Sequence, residues 1–212
     1  MSPTGAARAV RAAVTTTKFR DSEAPSQGAI VRMFGVVAGM AYTLDPIEAA
    51  RRDVLGVEPL LRRDLLDALM SLPVGLPVAG GDLPERERRL LSSAPWGVVD
   101  LEDGYLIRRA VQPTTARLAV VAARCWRDGL VRAGRFAPFC ARAVLLSAPP
   151  TDLDDARMQA SFYGIGICTF GGGELRIHLD PEPYVHARHS PAQWWFSEDL
   201  YRQVNASRSA AR

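Results

Sequence analysis

The 212-residue chain is 48% hydrophobic and carries 26 Lys and Arg against 23 Asp and Glu, a net charge of +3 with a pI near 9.0. That length and apolar fraction fill the core of one large domain or two small ones and exclude a disordered chain. The basic excess is too slight to require an acidic partner. Lys18 is the only lysine, and an arginine bias with abundant Ala, Val, Gly and Pro also follows from a GC-rich bacterial genome.

Residues 1–27 are rich in Ala, Ser, Thr and Pro without a period that buries a face, and read as a flexible leader, with Met33 and Met40 as alternative starts. The apolar stretch AIVRMFGVVAGMAYTL, residues 29–44, follows Arg8, Arg11, Lys18 and Arg20 in the manner of a targeting segment. Arg32 interrupts it, and no run reaches the roughly 20 apolar residues that span a bilayer, so the expectation is a cytoplasmic protein with no membrane association.

From DPIEAARRDVLG the pattern becomes helical, with Ile47, Ala50 and Val54 on one face. In EPLLRRDLLDALMSL, Leu61, Leu65, Leu66 and Leu69 form an apolar stripe. GGDLPERERRLLSSA starts a third helix, with Asp82 as N-cap, Pro84 in the first turn and Glu85 three residues after the cap. WGVVDLEDGYLIRRAV then reads as a hairpin turning at Glu102-Asp103-Gly104. Three short helices and a hairpin spell a winged helix-turn-helix over residues 28–112, although PVGLPVAGG is Pro- and Gly-rich where a compact turn belongs; a plain helical cap on the next domain is the rival reading.

At Arg117 the texture changes. RLAVVAA is a strand covered on both faces, and WRDGLVRAGRFAPF is a helix with Leu130, Ala133 and Phe136 on one side. RAVLLSA is a second strand, TDLDDARMQASFYG a helix capped by Thr151 or Asp152 and stopped by Gly164, and IGICTF and ELRIHLD two strands around Gly171-Gly172-Gly173. The fold class is therefore α/β, with a small three-layer α/β/α core over residues 113–185 and a C-terminal helix and tail over 186–212.

ARLAVVAARCWRDGLVRAGRFAPFCARAVLLSAP and FYGIGICTFGGGELRIHLDPEP together resemble actinobacterial proteins of the PD-(D/E)XK nuclease superfamily in which a winged-helix-like segment precedes a restriction-endonuclease-like core. The matching positions are Arg124, Trp126, Arg127, Leu130, Ala133, Arg135, Phe136, Arg142, Gly164 and Gly166, within residues 95–183. In that group the strand ends in Glu-x-Lys. Here those positions hold Val120 and Ala122, and the helical Gln falls on Arg132. Valine and alanine neither ligate Mg²⁺ nor handle an attacking water. The resemblance thus implies a scaffold without its catalytic motif. Displaced carboxylates at Asp100, Asp103 and Asp128 are the catalytic candidates under an alternative, Mg²⁺-dependent nuclease reading; for Asp128 an ion pair with Arg124 or Arg132 is the plainer role.

Other motifs carry less. His178, His186 and His189 near Asp180 and Glu182 lack the spacing of a metal site, so no metal or other cofactor is expected. FGGGE precedes a strand and reads as a hairpin turn, without the Gly-Lys-Ser/Thr of a phosphate loop. Cys125, Cys140 and Cys168 flank no CxxC pair and read as reduced thiols, Cys125 and Cys140 being weak candidates for a nucleophile. PAQWWFSEDLYRQ reads as a terminal helix docking through Trp195 and Leu200. The locally basic stretch remains. Arg124, Arg127, Arg132 and Arg135, with Arg108 and Arg109 on the wing, are the candidate contacts to the phosphates of double-stranded DNA. The expected function is a non-catalytic DNA-binding or regulatory protein in a regulatory or genome-maintenance setting; a protein-interaction module is the third reading.

Overall fold

The computed structural model describes residues 27–185 and 189–209, and the protein is mixed α/β with two compact units. One comprises residues up to Thr43 together with Ala116–Val185, the other Leu44–Thr115 together with His186–Arg212. Residues 1–26, most of the expected leader, lie outside the described residues. No helix among the described residues is long and apolar enough to cross a membrane.

The first unit is built on a six-stranded sheet, ordered β1-β2-β6-β7-β8-β9, of strands Gln27–Met33 (β1), Val36–Leu44 (β2), Thr114–Ala122 (β6), Ala141–Leu146 (β7), Ile165–Gly171 (β8) and Glu174–Leu179 (β9). β1 and β2 correct one reading: residues 29–44 do not open the helical segment expected over residues 28–112, but form an antiparallel hairpin at the sheet edge. Its turn is Phe34-Gly35, both with positive φ (52° and 72°), as a two-residue hairpin requires. A phenylalanine is costly there. Packing holds it: the Phe34 ring lies 5.3 Å from Phe139 and 5.7 Å from Phe136, and its carbonyl accepts from Arg135 Nη1 at 2.7 Å.

β6, β7 and β8 are parallel, joined through helices that we number α4 (Trp126–Gly134) and α5 (Leu153–Phe162), following three in the second unit. Successive right-handed crossovers in one direction place both helices on the same sheet face. Their side chains confirm this by bonding each other: Trp126 Nε1 donates to Asp152 at 3.0 Å, and Arg127 bridges Asp152 and Asp155 at 3.0 Å each. Within this unit the helices therefore make one layer rather than two. Its other sheet face carries Leu118, Val120, Ala143, Leu145 and Cys168, against which Phe170, Leu175 and Tyr184 pack. The chain beyond β9 crosses β8 so closely that a Cβ on Gly166 would sit 2.7 Å from Pro181 Cδ, a physical reason for glycine in the GIG stretch.

The second unit contains α1 (Pro46–Leu55), α2 (Arg63–Met70), α3 (Glu85–Ser92) and α6 (Pro191–Ser209), with a small antiparallel sheet ordered β3-β5-β4 from Pro77–Ala79 (β3), Val99–Glu102 (β4) and Tyr105–Arg108 (β5). β3 arises in the Pro- and Gly-rich stretch that stands where a compact turn between helices is expected. The β4–β5 turn is Asp103-Gly104, both with positive φ, as expected. α3 starts later than its capping pattern implies: Asp82 ends a short 3₁₀ turn, the residue at the cap is Pro84, and Glu85 pairs with Arg88 and Arg89. Leu65, Leu66 and Leu69 are buried with Leu91, Val98, Leu106 and Trp194.

α1 inverts its expected polarity. Asp45 caps it, accepting from the Ile47 and Glu48 amides, and Gly56 ends it. Yet Ile47 and Val54 are 81% and 84% exposed and Ala50 is also exposed, while Glu48 and Arg52 are buried. The cause lies in α6. Arg52 donates from Nη1 and Nη2 to the two oxygens of Glu198 at 2.7 and 2.8 Å, from Nε to Glu48 at 2.7 Å, and from Nη2 to the Val111 carbonyl at 3.1 Å. Glu198 also accepts from the Leu60 amide and from Trp194 Nε1 at 3.0 and 2.9 Å. Burial pushes the Glu48 carboxyl up, but hydrogen bonds and charge from Arg51 and Arg52 outweigh it and hold Glu48 below its ordinary value.

Removing one partner of such a pair leaves an uncompensated buried charge, which costs about 3–5 kcal/mol. Arg52→Ala and Glu198→Ala should each lower the unfolding free energy of the second unit by that amount, read from the denaturant midpoint and slope. The double variant should lose much less than the sum. Additive losses in denaturation would contradict a coupled triad.

Candidate functional site

The three catalytic candidates are divided between the units: Asp100 and Asp103 belong to the second and Asp128 to the first. Asp100 is held by Arg109, Nε to Oδ2 at 2.6 Å. Asp103 is a turn residue. Asp128 pairs with Arg132 one helical turn on, at 3.3 Å, the plainer of its two expected roles. Among the described residues no three His, Cys, Asp or Glu side chains cluster as a metal site would require. His178 Nε2 bonds Thr169 Oγ1 at 2.9 Å across the β8–β9 pair, and His186 lies outside the described residues.

The strand that carries Val120 and Ala122 has aliphatic surroundings. Val120 is opposite Ala143 in register and Ala122 opposite Leu145, and Val120 is fully buried. The sequences of β1, β2, β6, β7 and β8, QGAIVRM, VVAGMAYTL, TTARLAVVA, ARAVLL and IGICTFG, contain no Asp or Glu. A divalent ion bound along these strands would find no carboxylate on any of them.

Most of the candidate arginines are engaged within their own units. Arg108 is a framework residue: it donates to the carbonyls of Leu69, Leu72 and Ala110 at 2.9–3.2 Å and stacks 4.3 Å over the Trp194 ring. Burial pushes its guanidinium down from the ordinary value, consistent with a charge solvated by carbonyls and a ring. Arg109 is occupied by Asp100, and Arg132 by Asp128 and the Ala122 carbonyl. Arg127 lies 4.0 Å over Trp126 and reaches Asp152 and Asp155. The hydrogen bond from Trp126, then Arg127, holds the Asp152 carboxyl below its ordinary value. Asp152 stands at the α5 cap position but its side chain makes no cap bond; it faces α4 instead. Arg135 binds the Phe34 carbonyl and is otherwise exposed, as Arg124 is.

In α6 it is Trp194 that is buried; Trp195 remains partly exposed, donating to the Leu61 carbonyl and lying under Arg63. Leu200 is buried as expected. Sequence reasoning misses the aspartates facing Arg127, because TDLDD reads as a helix start, and it misses three apolar side chains on the outside of α4 and α5, Val131, Met158 and Phe162.

Compared with protein-family models, curated proteins and solved structures, the chain matches none of them.

Two measurements check these assignments. Arg108→Ala should destabilise the second unit by about 2 kcal/mol or more, because buried carbonyls lose their donor, whereas Arg109→Ala should stay within about 0.5 kcal/mol, as exposed pairs do. Equal losses in thermal or urea denaturation would contradict the framework role. Burial pushes the Cys140 and Cys168 thiols up to about 12, so neither is a thiolate nucleophile at neutral pH, whereas Cys125 is exposed. A disulfide-exchange reagent at pH 8 should therefore modify one thiol in the native protein and three after denaturation; fast reaction of two or three in the native state would refute this.

Proposed function

We propose that this protein is a non-catalytic scaffold of nuclease-like architecture that works by binding another macromolecule, in the first place a protein. The architectural part rests on a hairpin, a strand, a crossover helix and a parallel strand in sequence, and on the β3-β5-β4 sheet with α2 and α3, which resembles a winged helix in strand order. The single observation that carries the functional part is chemical. The five strands from β1 to β8 in the large sheet have no carboxylate, and five of the six candidate DNA-contacting arginines are bonded to carboxylates or carbonyls of their own unit, four of them in ion pairs or, for Arg108, with three backbone carbonyls.

Double-stranded DNA is the second reading, favoured by the distribution of charge. The α/β unit has 13 Lys and Arg against 9 Asp and Glu, a net +4, while the second unit has 13 against 14, a net −1. Phosphate contacts would therefore run through the α/β unit, with Arg124 and Arg135 the candidates outside ion pairs, and not through the acidic turn of the β4–β5 hairpin. The setting is regulatory, and a cytoplasmic location fits it.

Fluorescence anisotropy with a labelled duplex, alongside incubation with Mg²⁺ or Mn²⁺, separates these readings. The expected result is intact DNA and no tight complex. Affinity that falls by about 10³-fold or more between roughly 50 and 200 mM salt, and is lost in Arg124→Glu/Arg135→Glu, would transfer the assignment to DNA. Cutting abolished by Asp100→Asn, Asp103→Asn or Asp128→Asn would make the protein a metal-dependent nuclease and end the non-catalytic reading.

A further inference from the structure

We infer that a second copy of this chain docks on the outer face of α4 and α5, so that the protein is a two-fold dimer through its helical layer; this rests on the protein-binding reading above. The argument begins with register. β6, β7 and β8 are parallel, so the helices that return between them run parallel to each other. The Arg127–Asp155 bridge aligns their first turns. One turn further on, Val131 of α4 lies level with Met158 of α5, and the last turn of α5 brings Phe162. These three side chains are 69%, 66% and 84% exposed and make an apolar strip along the two helices. A phenylalanine so exposed, in line with two other apolar side chains, is what an interface centre requires and a solvated face does not.

The charges around the strip select the occupant. At the N-terminal end of the layer stand Asp128, Asp152, Asp154 and Asp155 against Arg124 and Arg127, the Asp154 carboxylate fully exposed with only a 3.8 Å contact to Arg157, and at the C-terminal end stand Arg132, which reaches back to Asp128, and Arg135. A polyanion or an anionic lipid surface meets both signs on this face and gains little from it. A second copy related by a two-fold axis near Met158 runs its helices antiparallel to the first, so that the acidic end of each copy meets the arginine end of the other. Such an isologous contact is self-complementary and closes at two copies.

Sedimentation velocity over about 1 to 100 µM full-length protein tests this, with far-UV circular dichroism and the thermal transition as folding controls. The expected result is a concentration-dependent dimer that Phe162→Glu and Met158→Glu shift to monomer by at least tenfold in dissociation constant, with the monomer's fold intact since both positions face water. Asp154→Arg and Arg135→Asp should each weaken the dimer, and together restore it. A wild type that is monomeric throughout, or a dimer indifferent to all four substitutions, overturns the proposal. Neither result bears on the protein-binding reading, whose failure is read separately from DNA affinity and cleavage.

Discussion

One guanidinium organises the second unit. Arg52 lies between Glu48, one helical turn before it, and Glu198, 146 residues after it. Taking three charges out of water is expensive, and a hydrophobic replacement of the same shape is often at least as stable. What the ionic version adds is geometry: a bidentate contact, an amide and an indole all converge on the Glu198 carboxylate. Apolar packing of Trp194, Leu200 and Val204 alone would tolerate neighbouring registers of α6. The carboxylate does not, because a displacement by one residue strands two charges. Two chain segments separated by most of the α/β unit are thereby fixed as one body.

The same constraint explains why α1 turns its charged side inward and leaves Ile47 and Val54 in water. Amphipathic reading assumes that burial follows hydrophobicity, and here it follows partner geometry instead. Glu48 and Arg52 are spaced four apart, which is visible in the sequence, but that spacing is equally common in exposed pairs. Only the distant Glu198 distinguishes the two cases. Arg108 presents the same difficulty in another form, since nothing local marks an arginine destined for three backbone carbonyls.

What was legible follows from period and punctuation. β6 to β9, α4, α5 and the Asp103-Gly104 hairpin are all announced by apolar runs, helical spacing and turn residues, and they appear where those signals put them. The β1–β2 hairpin was not, because Phe-Gly is no hairpin signature; its strained turn is held by Phe136 and Phe139, about a hundred residues away. β3 was hidden by the prolines and glycines around it, tolerable in an edge strand of three residues. Of the candidate site, the absence of acids in the strands was readable directly. The fate of the arginines was not, because Asp152 and Asp155 meet Arg127 only after two crossovers have placed both helices on one face.

That pairing has a consequence for what the surface offers. A guanidinium clamped by two carboxylates and an aromatic ring contributes little long-range field, so the sequence-level impression of a basic helix largely disappears on folding. The clamp also sets the relative position of α4 and α5. The Arg127 charge is taken up in holding two helices side by side, and Val131, Met158 and Phe162 stay exposed on that layer. The layer thus presents its exposed apolar side chains beside two arginines outside ion pairs, Arg124 and Arg135, over a sheet in which only β9, through Glu174, carries an acid.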